Sequence, residues 1–209
     1  MRRLLIATTN PAKLAEYRLL IRELGLELEL ISLAAVGISE APEETGATFT
    51  ENALLKARFY FARAGIATLA DDGGLEIDAL GGEPGVRSHR WLGGDRDNSD
   101  QALVDEVIRR MQGVAEGNRT ARIRAAVALT WSERGATRER FAEAAIEGVI
   151  AARAYPEIRT GFPYRAVLFL PERGCYLGEL GDQEEARIGQ RRQALVQLLD
   201  DLKRVSDGS

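Results

Sequence analysis

Ala70-Asp71-Asp72-Gly73-Gly74-Leu75 follows directly on the apolar run Ile66 to Leu69. That run has the length of a buried strand, and two adjacent carboxylates stand where it is expected to end. Like charges raise each other's pKa, so the pair costs free energy unless a cation sits beside it. The two glycines then let the backbone turn sharply and approach a ligand closely. Two readings fit the stretch alone. One is a solvated turn, because Asp-Gly is common in turns. The other is a metal-and-phosphate site at the carboxyl end of a strand.

The 209 residues are 45% hydrophobic and 29% charged, enough for one domain with a sizeable core. The formal net charge of -4 gives no general electrostatic case for binding nucleic acid or an acidic membrane. A single cysteine, Cys175, excludes an internal disulfide framework and a cysteine-rich zinc site, and reads as a small core or strand residue. No run approaches the ~20 apolar residues of a membrane span, and the apolar run after Arg3 is too short for a signal peptide. A soluble cytoplasmic protein is expected. Of 28 basic residues, all but Lys13, Lys56 and Lys203 are arginine. Lysine is a compact point charge where arginine is a broad planar fork, so Lys13 and Lys56 become candidates for phosphate contacts.

Leu4 to Thr8 reads as a first strand. Thr8-Thr9-Asn10-Pro11-Ala12-Lys13 then opens a helix, with Asn10 or Thr9 as cap and Pro11 in the first turn. Strand, short polar loop and helix N-terminus point backbone N–H groups at an anion. Leu26 to Ile31 alternates as a second strand. Thr48-Phe49-Thr50-Glu51 is a capping box, and in the helix that it opens, Asn52 and Lys56 share a flank. Leu75 to Asp78 alternates like a short strand. Asp95 to Asp100 distantly resembles a calcium loop without its glycine, and reads better as the N-cap of a helix from Asp100 to Met111. Arg119 to Trp131 and Arg138 to Ala152 read as long paired strands, Ala166 to Leu170 as another, and Arg187 to Val205 as a final helix. His89, the one histidine, reads as a loop residue. The class is α/β with a long mixed sheet.

Three blocks together resemble the pyrophosphatases of non-standard purine nucleoside triphosphates, the inosine/xanthosine triphosphate pyrophosphatase type. They are Ala7 to Glu16, Glu43 to Ala57, and Ala70 to Leu75 running on to Pro84-Gly85-Val86-Arg87-Ser88. The resemblance implies an elongated, two-lobed α/β fold over residues 1–209, with a long mixed central sheet and a cleft between the lobes. It implies hydrolysis of a nucleoside triphosphate to monophosphate and pyrophosphate with Mg2+, in a homodimer. Asp72 matches the catalytic carboxylate, as general base and metal ligand. Glu43 matches a metal-binding glutamate, with Glu44 beside it as a second candidate. Thr8, Thr9, Asn10 and Lys13 match the triphosphate loop, and Lys56 the lysine of the phosphate-facing helix. Asp71 then falls to a supporting acid.

The departures from the family lie mostly where the base is expected to bind. An aromatic loop of Phe-Gly-Tyr-Asp-Pro type reads Phe162-Pro163-Tyr164-Arg165-Ala166 here. A later lysine is Glu185, a Ser-His-Arg-Gly segment reads Gly189-Gln190-Arg191-Arg192, and the serine after the catalytic aspartate is Gly73. Phe162 and Tyr164 can stack on a base, while Gln190 and Arg191 can hydrogen-bond its edge. An acid has become Arg165 and a base has become Glu185, so the two are expected to form a swapped ion pair. Alternatives are a pyrophosphatase with altered base preference, including modified pyrimidines, a nucleotide-binding sensor with weak turnover, and a scaffold with a decayed site.

Overall fold

The structure, a computed structural model, describes residues 2–93 and 98–207. Its strands form one seven-stranded sheet in the order β2-β1-β3-β4-β5-β6-β7. β1 (Arg2–Ile6) pairs in parallel with β2 (Leu28–Ser32) and with β3 (Thr68–Ile77). β4 (Thr120–Glu133) and β5 (Ala136–Ile150) are the long strands, and β6 (Leu168–Leu170) joins β5 and β7 (Cys175–Tyr176) in antiparallel ladders. The sheet is therefore mixed, as expected. Cys175 is a half-buried strand residue.

Contacts divide the chain into two compact units. The first holds Met1–Asp72, Ala125–Ala144 and Gln190–Ser209, and the second Gly73–Arg124 and Ala145–Gly189. In the first unit, α1 (Pro11–Glu23) and α2 (Phe49–Ala64) connect the parallel strands. Tyr17, Leu20 and Ile21 of α1, Ala53 and Ala57 of α2, and Leu4, Leu5 and Leu69 of the strands are all buried. α5 (Gln190–Gln197) adds Ala194 and Leu195, and α6 (Leu199–Asp207) adds Leu202. In the second unit, Leu103, Val104 and Val107 of α3 (Asp100–Arg110) join Leu75, Ile77, Tyr164, Val167 and Leu168 in one apolar cluster.

Several sequence expectations are corrected: β1 is Arg2–Ile6 rather than Leu4 to Thr8, and Ala166 belongs to a short 3-10 helix before β6. Asp71 to Gly74 is not a turn at a strand's end: β3 runs unbroken from Thr68 through both aspartates and both glycines to Ile77. Asp and Gly are poor strand formers, but pairing within a sheet overrides that preference. β2 begins at Leu28 rather than Leu26, because the Leu26 N–H still donates to Ile21 O at the end of α1. The expected last helix is three. α4 (Asp182–Ile188) stops at Gly189, whose ψ of 144° is not helical, and a further break at Leu198 separates α5 from α6. Of the Asp95 to Asp100 segment, residues 95–97 lie outside those described. Its end behaves as an N-cap, the Ser99 hydroxyl accepting from Ala102 N at 3.3 Å.

Candidate functional site

In the first unit, α1 starts where β1 ends. Asn10 is the cap, not Thr9: its Oδ1 accepts from the N–H groups of Ala12 (2.9 Å) and Lys13 (3.3 Å). Thr8 Oγ1 accepts from Asn10 N, which fixes the loop, and Thr9 is exposed. Pro11 fills the first helical position, where a missing N–H costs nothing. This local chemistry sets Lys13 in the first turn with its side chain 11% exposed, against Asp71.

α2 is positioned by its own cap. Thr48 Oγ1 accepts from Glu51 N, and the Glu51 carboxylate accepts from Ala47 N, one residue before the partner that a standard box would use. One turn in, Asn52 is buried and bonded on both sides. Its Oδ1 accepts from Gly46 N (2.8 Å), and its Nδ2 donates to Asp72 Oδ2 (3.1 Å). A side chain at Gly46 would collide with this amide, its Cβ lying 2.6 Å from Asn52 Oδ1. Lys56, one turn further, donates to Glu44 Oε1 (2.9 Å) and to Asp72 Oδ1 (3.1 Å). Both oxygens of Asp72 are thereby fixed from α2, one by an amide and one by an ammonium.

Asp71 has a different set of partners. Its Oδ2 takes Lys13 Nζ and Arg191 Nε, each at 3.0 Å, and Arg191 Nη1 continues to Glu16 Oε2 at 3.3 Å. Successive side chains of a strand leave on opposite faces, so the neighbours in sequence are served by different lysines. The repulsion expected between adjacent carboxylates is relieved by one ammonium each.

The electrostatics follow from these contacts. Burial works to raise the Asp71 carboxyl, but Lys13 and Arg191 outweigh it and hold Asp71 well below the usual carboxylate range. Burial lowers Lys13, with Asp71 opposing and Arg191 adding to the fall. The pair is asymmetric because Asp71 has two cations while Lys13 has another cation close by. Burial also works against Lys56, yet Asp72 and Glu44 together leave it raised. Arg191 is raised in the same way by Glu16 and Asp71.

Of the two candidate glutamates, Glu44 is the one brought to Lys56 and Asp72, while Glu43 is exposed. Among the described residues, no group of three or more His, Cys, Asp or Glu side chains converges as a metal cage. Two carboxylates on one cation nevertheless suit a hard divalent ion. Mg2+ characteristically takes one or two carboxylates and completes its shell with water and substrate phosphate.

The remaining predicted residues are largely buried and engaged with other side chains. Gln190 and Arg191 are buried at the start of α5, with Arg191 committed to Asp71 and Glu16, and Gln190 Oε1 has no hydrogen-bond partner among the described residues. Gly73 follows Asp72 as the first residue of the second unit. In that unit Tyr164 is 5% exposed and donates to Ser88 O at 2.5 Å, so it serves as an internal anchor and not as an open stacking surface. Burial pushes its phenol up. Ser88 in turn accepts from Leu75 N (3.0 Å) and donates to Gly85 O (2.6 Å), against Gly74. The expected swapped pair is present: Arg165 Nη2 lies 2.5 Å from Glu185 Oε1, with both side chains 5% exposed. The Arg165 guanidinium also lies 3.6 Å from the centre of the Phe162 ring and covers one of its faces.

Sequence reasoning missed two participants. Asn52 has its signal in the helical spacing to Lys56, which places the two on one flank. Arg159 has none: its Nη1 reaches Glu185 Oε2 and Asp182 Oδ1, both at 2.9 Å, across a separation that only folding closes.

Known proteins resemble the chain over nearly its whole length. The sequence profile of the Ham1 family matches residues 4–201. A dITP/XTP pyrophosphatase of Bacillus subtilis is 36% identical over 198 residues, covering 95% of this chain and 96% of its own. One from Bordetella pertussis is 40% identical over 206 residues, covering 97% and 92%. Among solved structures, a HAM1 protein from Coxiella burnetii superposes with a TM-score of 0.82 at 33% identity, over 98% of this chain and 100% of that one.

Proposed function

Because this chain belongs to the Ham1 family, we propose that it hydrolyses non-standard purine nucleoside triphosphates of the ITP, dITP and XTP type. The products are the monophosphate and pyrophosphate. The observation that carries this reading is the Glu44–Lys56–Asp72 contact, with Asp72 held on its other oxygen by Asn52. Nucleotide hydrolysis needs little covalent chemistry from a protein; it needs positioning and charge.

Asp72 is the general base. A water attacks the α-phosphorus, its proton passes to a carboxylate oxygen of Asp72, and the bond to the pyrophosphate oxygen breaks. Asn52 keeps the carboxylate from rotating, so the accepting oxygen stays in place for each turnover. Lys13 and Lys56 hold phosphate charge, and Asn10 sets the loop from Thr8 that faces it. Mg2+ fits Glu44 and Asp72, and when bound supplies neutralisation of phosphate oxygens. Glu44 is preferred to Glu43 because it shares an ammonium with Asp72.

The test is pyrophosphate release from a panel of triphosphates with Mg2+. Faster release from inosine and xanthosine triphosphates than from ATP and GTP is expected. Equal rates would remove the purine-cleaning role and leave the enzyme class, while no release from any of them would remove both. An altered base preference is the second reading, favoured by the engagement of Arg165 and Glu185 with each other and with Phe162. We also propose a homodimer and a cytoplasmic location. No described helix is long and apolar enough to cross a membrane. A solution mass of twice the 22.9 kDa chain tests the dimer.

A further inference from the structure

We propose that Lys56 gates the metal position, holding Glu44 and Asp72 until a triphosphate draws its ammonium away, so that divalent cation and nucleotide bind as a coupled pair. This deepens the reading above and rests on it for the identity of the nucleotide. The geometry is direct. The Lys56 ammonium sits 2.9 Å from Glu44 Oε1 and 3.1 Å from Asp72 Oδ1, the oxygens of the two carboxylates best placed to ligate a cation. A divalent ion and an ammonium cannot both use those atoms at full strength, because two positive charges within a few ångström repel.

Asp72 cannot move aside to serve both. Its other oxygen is tied to Asn52, and Asn52 is tied to Gly46. The mobile partner is therefore the lysine, a point charge on a flexible four-carbon stem that trades one anion for another readily. In a chain that uses arginine almost throughout, a rigid fork at this position would not hand over its partners so easily. The protein also offers too few carboxylates to hold the cation alone: among the described residues no third acidic or His/Cys ligand joins Glu44 and Asp72. A triphosphate supplies both deficits, an anion for the displaced ammonium and oxygens for the cation.

The test measures metal affinity without turnover. Mn2+, a spectroscopic substitute for Mg2+, is titrated into the full chain by electron paramagnetic resonance with no nucleotide present. Lys56→Met is expected to bind Mn2+ about tenfold tighter than the wild type, because the competing charge is gone. Lys56→Arg keeps a cation there and is expected to stay within about threefold of the wild type. Adding Glu44→Gln to Lys56→Met removes the gain, which assigns it to these carboxylates. Equal or weaker Mn2+ binding by Lys56→Met overturns the proposal. Should that variant not fold, Lys56→Gln is read by the same criterion. Chain that releases no pyrophosphate yet shows these affinities would sink the enzyme reading and leave the gate. Active chain with unaltered Mn2+ affinity sinks the gate alone.

Discussion

Exchanging the charges of Arg165 and Glu185 tests whether the pair is a unit or two independent substitutions. The two side chains are 5% exposed and 2.5 Å apart, so neither charge has water to fall back on. Removing one partner of such a pair costs about 3–5 kcal/mol, because the other is left buried and uncompensated. Arg165→Asp does more than that. It sets two carboxylates face to face and strips the guanidinium from the Phe162 ring. Glu185→Lys places an ammonium against two guanidiniums, those of Arg165 and Arg159. The double exchange restores one attraction and loses two smaller terms. The contact with Phe162 is worth about 1–2 kcal/mol. The Arg159 contact is worth less, since Arg159 is one third exposed and keeps Asp182. Each single variant should therefore fall by at least about 3–5 kcal/mol in urea unfolding, and the double should stand at least about 3 kcal/mol above the sum of the singles. Coincident transitions by fluorescence and circular dichroism are needed before the numbers are compared, as the chain has two units. Singles that cost under about 1 kcal/mol, or a double equal to the sum, would refute the reasoning.

Asp72→Asn should lose about 10²–10⁴-fold in hydrolysis while nucleotide binding by calorimetry persists; a fully active variant would remove Asp72 from the mechanism. Gly74→Ala places a Cβ 1.8 Å from Ser88 Oγ and 2.5 Å from Ser88 Cβ. It should cost about 1–3 kcal/mol of stability in urea, and Ser88→Gly in the double variant should relieve only part of it, because Leu75 N then loses its acceptor. Asp71 is held below the ordinary carboxylate value when folded, so its contribution is complete above that ordinary value and fades as pH falls through the lower folded one. Asp71→Asn should accordingly lower the melting temperature at pH 7 and flatten its decline between about pH 5 and pH 1; an unchanged acid limb would count against the Lys13–Asp71–Arg191 contacts.

Much of the first unit was legible because its signals are local. Pro11 after Asn10, and Thr48 three residues before Glu51, announce helix starts with chemistry that the structure repeats almost bond for bond. The swapped charges at Arg165 and Glu185 were legible as a pair only through the family likeness, and the contact itself is a product of folding. Three features were hidden. The continuity of β3 through Asp-Asp-Gly-Gly is decided by sheet neighbours, which local preference does not see. The choice of Glu44 over Glu43 depends on which carboxylate the loop before Gly46 turns toward Lys56. Tyr164 looks like a stacking residue in sequence, and only its burial and its bond to Ser88 show otherwise.

The unbroken run of β3 has a consequence for how errors in this protein would express themselves. A shift of one residue in strand pairing moves every side chain to the other face. In most strands that exchange puts oil against water and is rejected at once. Here a shift puts one aspartate in the other's place and gives the second place to Ala70 or Gly73, so one of the two lysines keeps an acid beside it. The rest of the penalty for misalignment comes from the hydrophobic positions further along, Leu75 and Ile77, and from the glycine that nests against Ser88. The placement of Asp71 and Asp72 is thus guarded in part by residues further along the same strand.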